Sequence, residues 1–274
     1  MVEKSTAEIR QQHRKIDESI SYSALIQRSI LPPQKELANA FKDFFVVWRP
    51  RDVVGGDFYW FYRDPASRTV FFALIDCTGH GIPGALLSMT VNTLLNNIVK
   101  DSTIQKPSQI LTTLHHDVAQ ALHQKSEEGM QDGLAISLIR ISPKRDSLIF
   151  AGAGQHLLFT DEPTSGLKQI RGIRSSLGGA KWHETLNIEE HLINVSRNTR
   201  LYLYSDGITD QPGATASKLR KLGNRGLMEL LEASLTLALQ EQETHLNEIL
   251  DHMLETEEQR DDISLVAIEI SPEA

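Results

Sequence analysis

Four short acidic fragments carry the side chains best suited to chemistry: Gly55-Gly56-Asp57-Phe58, Asp76-Cys77-Thr78-Gly79-His80-Gly81, Ser205-Asp206-Gly207 and Asp261-Asp262-Ile263-Ser264. Each sets a carboxylate at the end of an apolar, strand-like run, beside Gly or a small polar residue. One such aspartate is an ordinary turn or cap residue. Four of them, each with its own turn chemistry, suggest a single oxygen-rich site assembled from distant parts of the chain. Hard divalent cations take oxygen ligands; magnesium uses few carboxylates and keeps several waters, and manganese accepts the same donors. Two such ions sharing a carboxylate can bring the pKa of water from about 15.7 towards 7 and clamp a phosphoryl oxygen. Hydrolysis would then need no side-chain nucleophile. Consistent with that, the chain has no G-x-S-x-G elbow, and Cys77 lacks the setting of a nucleophilic thiol.

The remaining composition narrows the field. With 274 residues, 40% hydrophobic and 23% charged, the chain can bury a real core. A formal charge of -8 would repel a nucleic-acid backbone, so nucleic acid is excluded as a general partner. No apolar run approaches the roughly 20 residues of a membrane span, and no secretory signal is visible. Cys77 is the sole cysteine, which rules out an intrachain disulfide and a thiolate zinc cluster. A reducing, cytoplasmic setting is expected.

Positioning four carboxylates requires strands that end together. Residues 1–30 read as a polar helix stopped by Pro32-Pro33, with Ile9, Ile16 and Ile30 on a seven-residue register and Ile20 near the complementary position. Two readings stay open: a solvated leader helix, or a coiled-coil linker that dimerises and follows an upstream sensor or membrane region. Beyond it, residues 44–48, 57–62 and 69–76 read as strands, then helices follow Pro83 and Pro107. Strand signals return at 133–141, 147–153, 155–160, 186–195 and 200–205. A helical pair at 225–240 and 244–256 precedes a last strand at 263–270. Residues 207–226 read as a mobile surface insert. Strands in blocks and helices in pairs predict an α+β layered sandwich, antiparallel sheets with helix pairs outside.

The four fragments occur in the order seen in metal-dependent Ser/Thr protein phosphatases (PPM, type 2C). Within that class the chain resembles the bacterial branch typified by SpoIIE and RsbU, from about residue 26 to 270. Residues 23–32 resemble the segment that joins sensor modules to such domains. The resemblance implies an α-β-β-α sandwich over 31–274, with 1–30 as a signalling linker helix. It further implies that Asp76 bridges two metals, that Asp206 and Asp261 complete one site, and that the Cys77 carbonyl serves the other. Asp57 would bind a metal directly or through water. Manganese or magnesium is the implied cofactor. A phosphorylated STAS-type regulator of the anti-anti-sigma kind is the implied substrate.

Other residues offer weaker signals. Asp262 is expected to be solvated or to support its neighbour. His80 could protonate a leaving alkoxide, but it stands four residues after Asp76, and shaping the turn is the preferred reading. His115, His116 and His123 are expected on an exposed helical face. Arg49 and Arg51 could meet a substrate phosphate or form surface salt bridges; Arg51 is the candidate for substrate binding. Gly152-Ala153-Gly154 fails as a dinucleotide loop, because Leu157 replaces the third glycine and a strand follows. Two rival functions remain: a catalytically silent phosphoprotein-binding module, and a nucleotide hydrolase or phosphodiesterase using the same paired metals.

Overall fold

Val70–Cys77 is apolar at all but one position because both of its faces are covered. Phe72 and Leu74 point into a core between two sheets, while Phe71, Ala73 and Ile75 point at helices on the other side. That double burial recurs in most of the central strands and sets the layering. The computed structural model describes residues 2–101, 103, 105–124, 130–181, 183, 185–212 and 221–272.

Elements follow in the order α1 (Val2–Ile30), α2 (Gln34–Ala40), β1 (Asp43–Arg49), β2 (Phe58–Arg63), β3 (Val70–Cys77), α3 (Gly81–Ile98) and α4 (Pro107–Ala121). Next come β4 (Gly133–Ile141), β5 (Ser147–Ala153), β6 (His156–Thr160), β7 (Lys168–Arg171), β8 (Leu177–Gly178), β9 (His191–Asn194) and β10 (Thr199–Tyr204). The chain closes with α5 (Asp206–Asp210), α6 (Gly223–Glu232), α7 (Leu239–Thr256) and β11 (Ile263–Ile270). One antiparallel sheet runs β1-β11-β10-β6-β7; the other runs β2-β3-β4-β5-β9, with β8 paired to β4.

Three cores hold the layers together. Phe72, Leu74, Phe150, Leu201, Leu203 and Val266 fill the space between the sheets. Trp60, Ile75, Ile136 and Leu138 meet Val91, Leu95, Leu111 and Leu114 of α3 and α4. Tyr202, Leu265 and Ala267 meet Leu227, Leu231, Leu246 and Leu250 of α6 and α7. Each such fully buried side chain is worth about 1.5–3 kcal/mol relative to exposure. The layering is the α-β-β-α sandwich that was expected, and the two sheets are antiparallel throughout their ladders.

Several boundaries differ for physical reasons. The helix expected over 225–240 ends at Glu232, and the next begins at Leu239 rather than 244. Between them, the buried Arg200 guanidinium donates to the carbonyls of Leu235 and Leu237, both at 2.8 Å, and pins the break. Only His191–Asn194 of the strand expected over 186–195 pairs. Just before it, Glu190 accepts both the N–H and the hydroxyl of Ser108 at the start of α4. α2 and the edge strand β7 were not anticipated. The flanks of the insert expected at 207–226 are helical, in α5 and α6; residues 213–220 lie outside the described residues.

Candidate metal centre

Both sheets deliver their acidic fragments to one edge of the sandwich. In the first sheet, β10 leaves at Tyr204, opposite Leu265, and leads straight into Ser205-Asp206. β11 starts at Ile263, just after Asp261-Asp262, and lies opposite Arg49 at the end of β1. In the second sheet, Phe58 pairs with Ile75, so Asp57 enters β2 beside the end of β3 that carries Asp76 and Cys77. The Trp48 indole N–H donates to the Asp57 carbonyl at 2.9 Å and ties the two sheets at this edge.

The turn before Asp57 is held by Asp262. Its Oδ1 accepts the Arg51 N–H at 2.7 Å; its Oδ2 accepts the N–H groups of Gly56 at 2.6 Å and Asp57 at 3.3 Å. Asp262 is therefore buried and engaged, not solvated. Close backbone approach explains two glycines. A Cβ on Gly56 would sit 2.4 Å from the Cys77 carbonyl oxygen, and one on Gly207 would sit 1.9 Å from the Asp262 carbonyl oxygen. Side chains there would drive the two acidic segments apart.

The carboxylates interact as one electrostatic group. Burial first, then the charges of Asp262 and Asp261, raise the Asp57 pKa well above the usual carboxylate range; the hydroxyls of Ser205 and Ser264 offset part of the rise. Asp76 is raised well above that range by burial, then by Asp57, Asp206 and Asp261, and its carboxyl lies within hydrogen-bonding reach of Asp206. Burial and Asp261 raise Asp206 as well. Asp57, Asp76, Asp206 and Asp261 thus meet in one place. No cationic side chain is among the main influences on Asp57 or Asp76.

Asp57 is 1% exposed, and its Oδ2 is buried without a hydrogen-bond partner. Such an oxygen normally demands a partner. A hard cation is one the donor set fits, because every side-chain donor offered is a carboxylate. Among the described residues, no three His, Cys, Asp or Glu side chains already close into a metal shell. The Cys77 carbonyl and water would have to complete any coordination, as magnesium sites commonly require.

The remaining candidates separate. Arg49 is committed to α7, with its guanidinium 2.6 Å from both Asp251 and Asn247, so it is the salt-bridge residue. Arg51 donates to the Arg260 carbonyl at 3.2 Å, next to the Asp261-Asp262 segment. His80 lies outside the carboxylate group; its Nδ1 pairs with Asp52 at 2.7 Å, beside the start of α3. Of the helical histidines, His116 and His123 are exposed, but His115 is not. It is 1% exposed and accepts the Gly178 N–H at 2.9 Å, which corrects the expected exposed face. Reading α4 as polar at that position missed its contact with β8.

Two antiparallel sheets, each covered by a helix pair and sharing an acidic edge, define a PP2C-type phosphatase domain. Within that class the chain belongs to the SpoIIE family: residues 66–271 match the family described as Stage II sporulation protein E. The solved SiaA-PP2C domain of Pseudomonas aeruginosa is 27% identical, with a TM-score of 0.81, covering 94% of this chain and 98% of that one. Phosphoserine phosphatase RsbP of Bacillus subtilis (strain 168) is 25% identical across 70% of this chain. The matched region spans only 46% of RsbP. The catalytic domain of the serine threonine protein phosphatase PstP, solved with two manganese ions, shares the fold at 15% identity and a TM-score of 0.56, covering 84% of this chain and 98% of that one. Among the described residues, no helix is long and apolar enough to cross a membrane.

Proposed function

We propose that this domain hydrolyses phosphoserine or phosphothreonine on a protein of the STAS, anti-anti-sigma-like type. The observation that carries the reading is the meeting of Asp57, Asp76, Asp206 and Asp261 from four separate segments, with a buried Asp57 oxygen left unpartnered. Manganese or magnesium, held as a pair by these carboxylates and the Cys77 carbonyl, would supply an activated water and neutralise phosphoryl charge. The chain's own part is placement. Asp76 and Asp206 lie within reach of each other and offer oxygens from both sheets. Asp262 fixes the backbone of Gly56 and Asp57, so the Asp57 carboxylate is held in place before any ligand arrives. Arg51, whose guanidinium donates to the Arg260 carbonyl, would meet a substrate phosphate through the same fork.

The likeness to SiaA and RsbP supports a phosphoprotein substrate over a nucleotide. The exposed Ile9 and Ile16 of α1 suit a self-associating linker helix, in keeping with a signalling role. The test is turnover of a phosphorylated STAS-domain protein, and of p-nitrophenyl phosphate, with and without manganese. Asp76→Asn and Asp206→Asn should each abolish hydrolysis while the circular-dichroism spectrum is kept. Metal-dependent turnover surviving in both variants would reject the assignment; a wild type that binds manganese but turns over neither substrate would favour the silent binding module.

A further inference from the structure

The turn that carries Asp57 has a second anchor, outside all four acidic fragments. Gln27, near the end of α1, is 1% exposed. Its Nε2 donates to the Gly55 carbonyl at 2.5 Å, and its Oε1 accepts the Gly55 N–H at 3.2 Å. The same Nε2 donates to Ser88 Oγ at 3.1 Å, and Ser88 in turn donates to the Ala85 carbonyl at 2.8 Å within α3. One side-chain amide therefore reads both backbone groups of a single residue, as a neighbouring strand would. It does so two residues before Asp57. One turn earlier on α1, Ala24 packs with Val54 and Ala85.

We infer that Gln27 is a positioning residue of the metal centre, fixing the Gly55-Gly56-Asp57 turn from the linker helix. The inference rests on Asp57 being a metal ligand, as proposed above. The geometry explains why two anchors are needed. Asp262 holds the N–H groups of Gly56 and Asp57 but leaves Gly55 free. Gln27 takes both groups of Gly55. With Gly55 and Gly56 adjacent, the turn has little intrinsic stiffness, so its shape is imposed by these two side chains. Residues 24 and 27 of α1 therefore belong with the catalytic unit, and a chain started at residue 31 would lack the anchor.

Gln27→Leu in the full chain keeps size and removes all three hydrogen bonds. Two readouts separate positioning from general stability. In metal-free protein, amide exchange at Gly56 and Asp57, whose acceptor Asp262 is untouched, should quicken at least tenfold. The manganese Kd, from electron paramagnetic resonance of free ion, should weaken at least fivefold. Ser88→Ala, which removes only the last of the three Gln27 contacts together with the Ser88–Ala85 bond inside α3, should shift each by less than twofold. A folded Gln27→Leu with unchanged exchange at Gly56 and unchanged Kd overturns the inference. If that variant does not fold, Gln27→Glu decides by the same readouts, since it keeps the acceptor for the Gly55 N–H but loses the donor. Exchange needs neither metal nor turnover, so a wild type without phosphatase activity would sink the proposed function and leave this result standing.

Discussion

Replacing Asp57 by Asn should make the metal-free protein more stable and the metal-loaded protein less so. Asp57 is buried among like charges, with one oxygen unpartnered. Leaving a buried polar group unsatisfied costs about 1–3 kcal/mol, and more when it is charged. Linkage sets a ceiling. A carboxyl held protonated in the fold, but ionising at its ordinary 3.8 when unfolded, costs about 4 kcal/mol at pH 7. Asn keeps the shape, carries no charge and can donate to the Ser205 and Ser264 hydroxyls that face it. A gain of about 2 kcal/mol is expected, or about 4–8 °C in Tm. Manganese should reverse the order. At a thousandfold excess over Kd it adds about 4 kcal/mol to the wild type, and far less to a variant short of a ligand. Thermal unfolding of both proteins, in chelator and in manganese, reads the crossover. A destabilised metal-free Asp57→Asn would refute the reasoning, because it would mean that the fold already compensates the Asp57 charge.

Three further outcomes follow from the same geometry. Asp262→Ala strands the N–H groups of Arg51, Gly56 and Asp57, so urea unfolding should show a loss of about 3 kcal/mol or more, and Asp262→Asn a smaller one. Gly207→Ala places a methyl 1.9 Å from the Asp262 carbonyl oxygen; an unchanged Tm would contradict that packing. Because the folded pKa of Asp57 is raised, the folded protein binds more protons than the unfolded one above 3.8. Its contribution is therefore lost as pH rises through the raised value, and metal-free Tm between pH 5 and 8 should fall more steeply in the wild type than in Asp57→Asn.

The sequence exposes some of this and hides the rest, for reasons visible in individual residues. Asp57, Asp76, Asp206 and Asp261 stand out because strands buried on both faces, such as Val70–Cys77, end abruptly in charge. Their shared location depends on two sheets being cut off at the same edge, which only the ladder registers establish. Asp262 looks like one more surface acid until its three backbone donors are seen. Gln27 lies in a polar helix and has no local signature, because its partner is a backbone 28 residues away. β7 is a short polar edge strand, with neither alternation nor an apolar run to mark it. The early end of α6 depends on Arg200, a residue from a strand, capturing carbonyls that no helix period can predict.

Cys77 gives the molecule a built-in reporter. It is the only thiol in the chain, 2% exposed at the end of β3, and burial, together with the charges of Asp76, Asp57 and Asp262, pushes its pKa well up. A sulfhydryl so placed resists alkylation while the edge stays shut. The speed at which a thiol reagent labels the intact protein therefore measures how often the second sheet parts next to its acids. The purified protein should also tolerate air without a reductant.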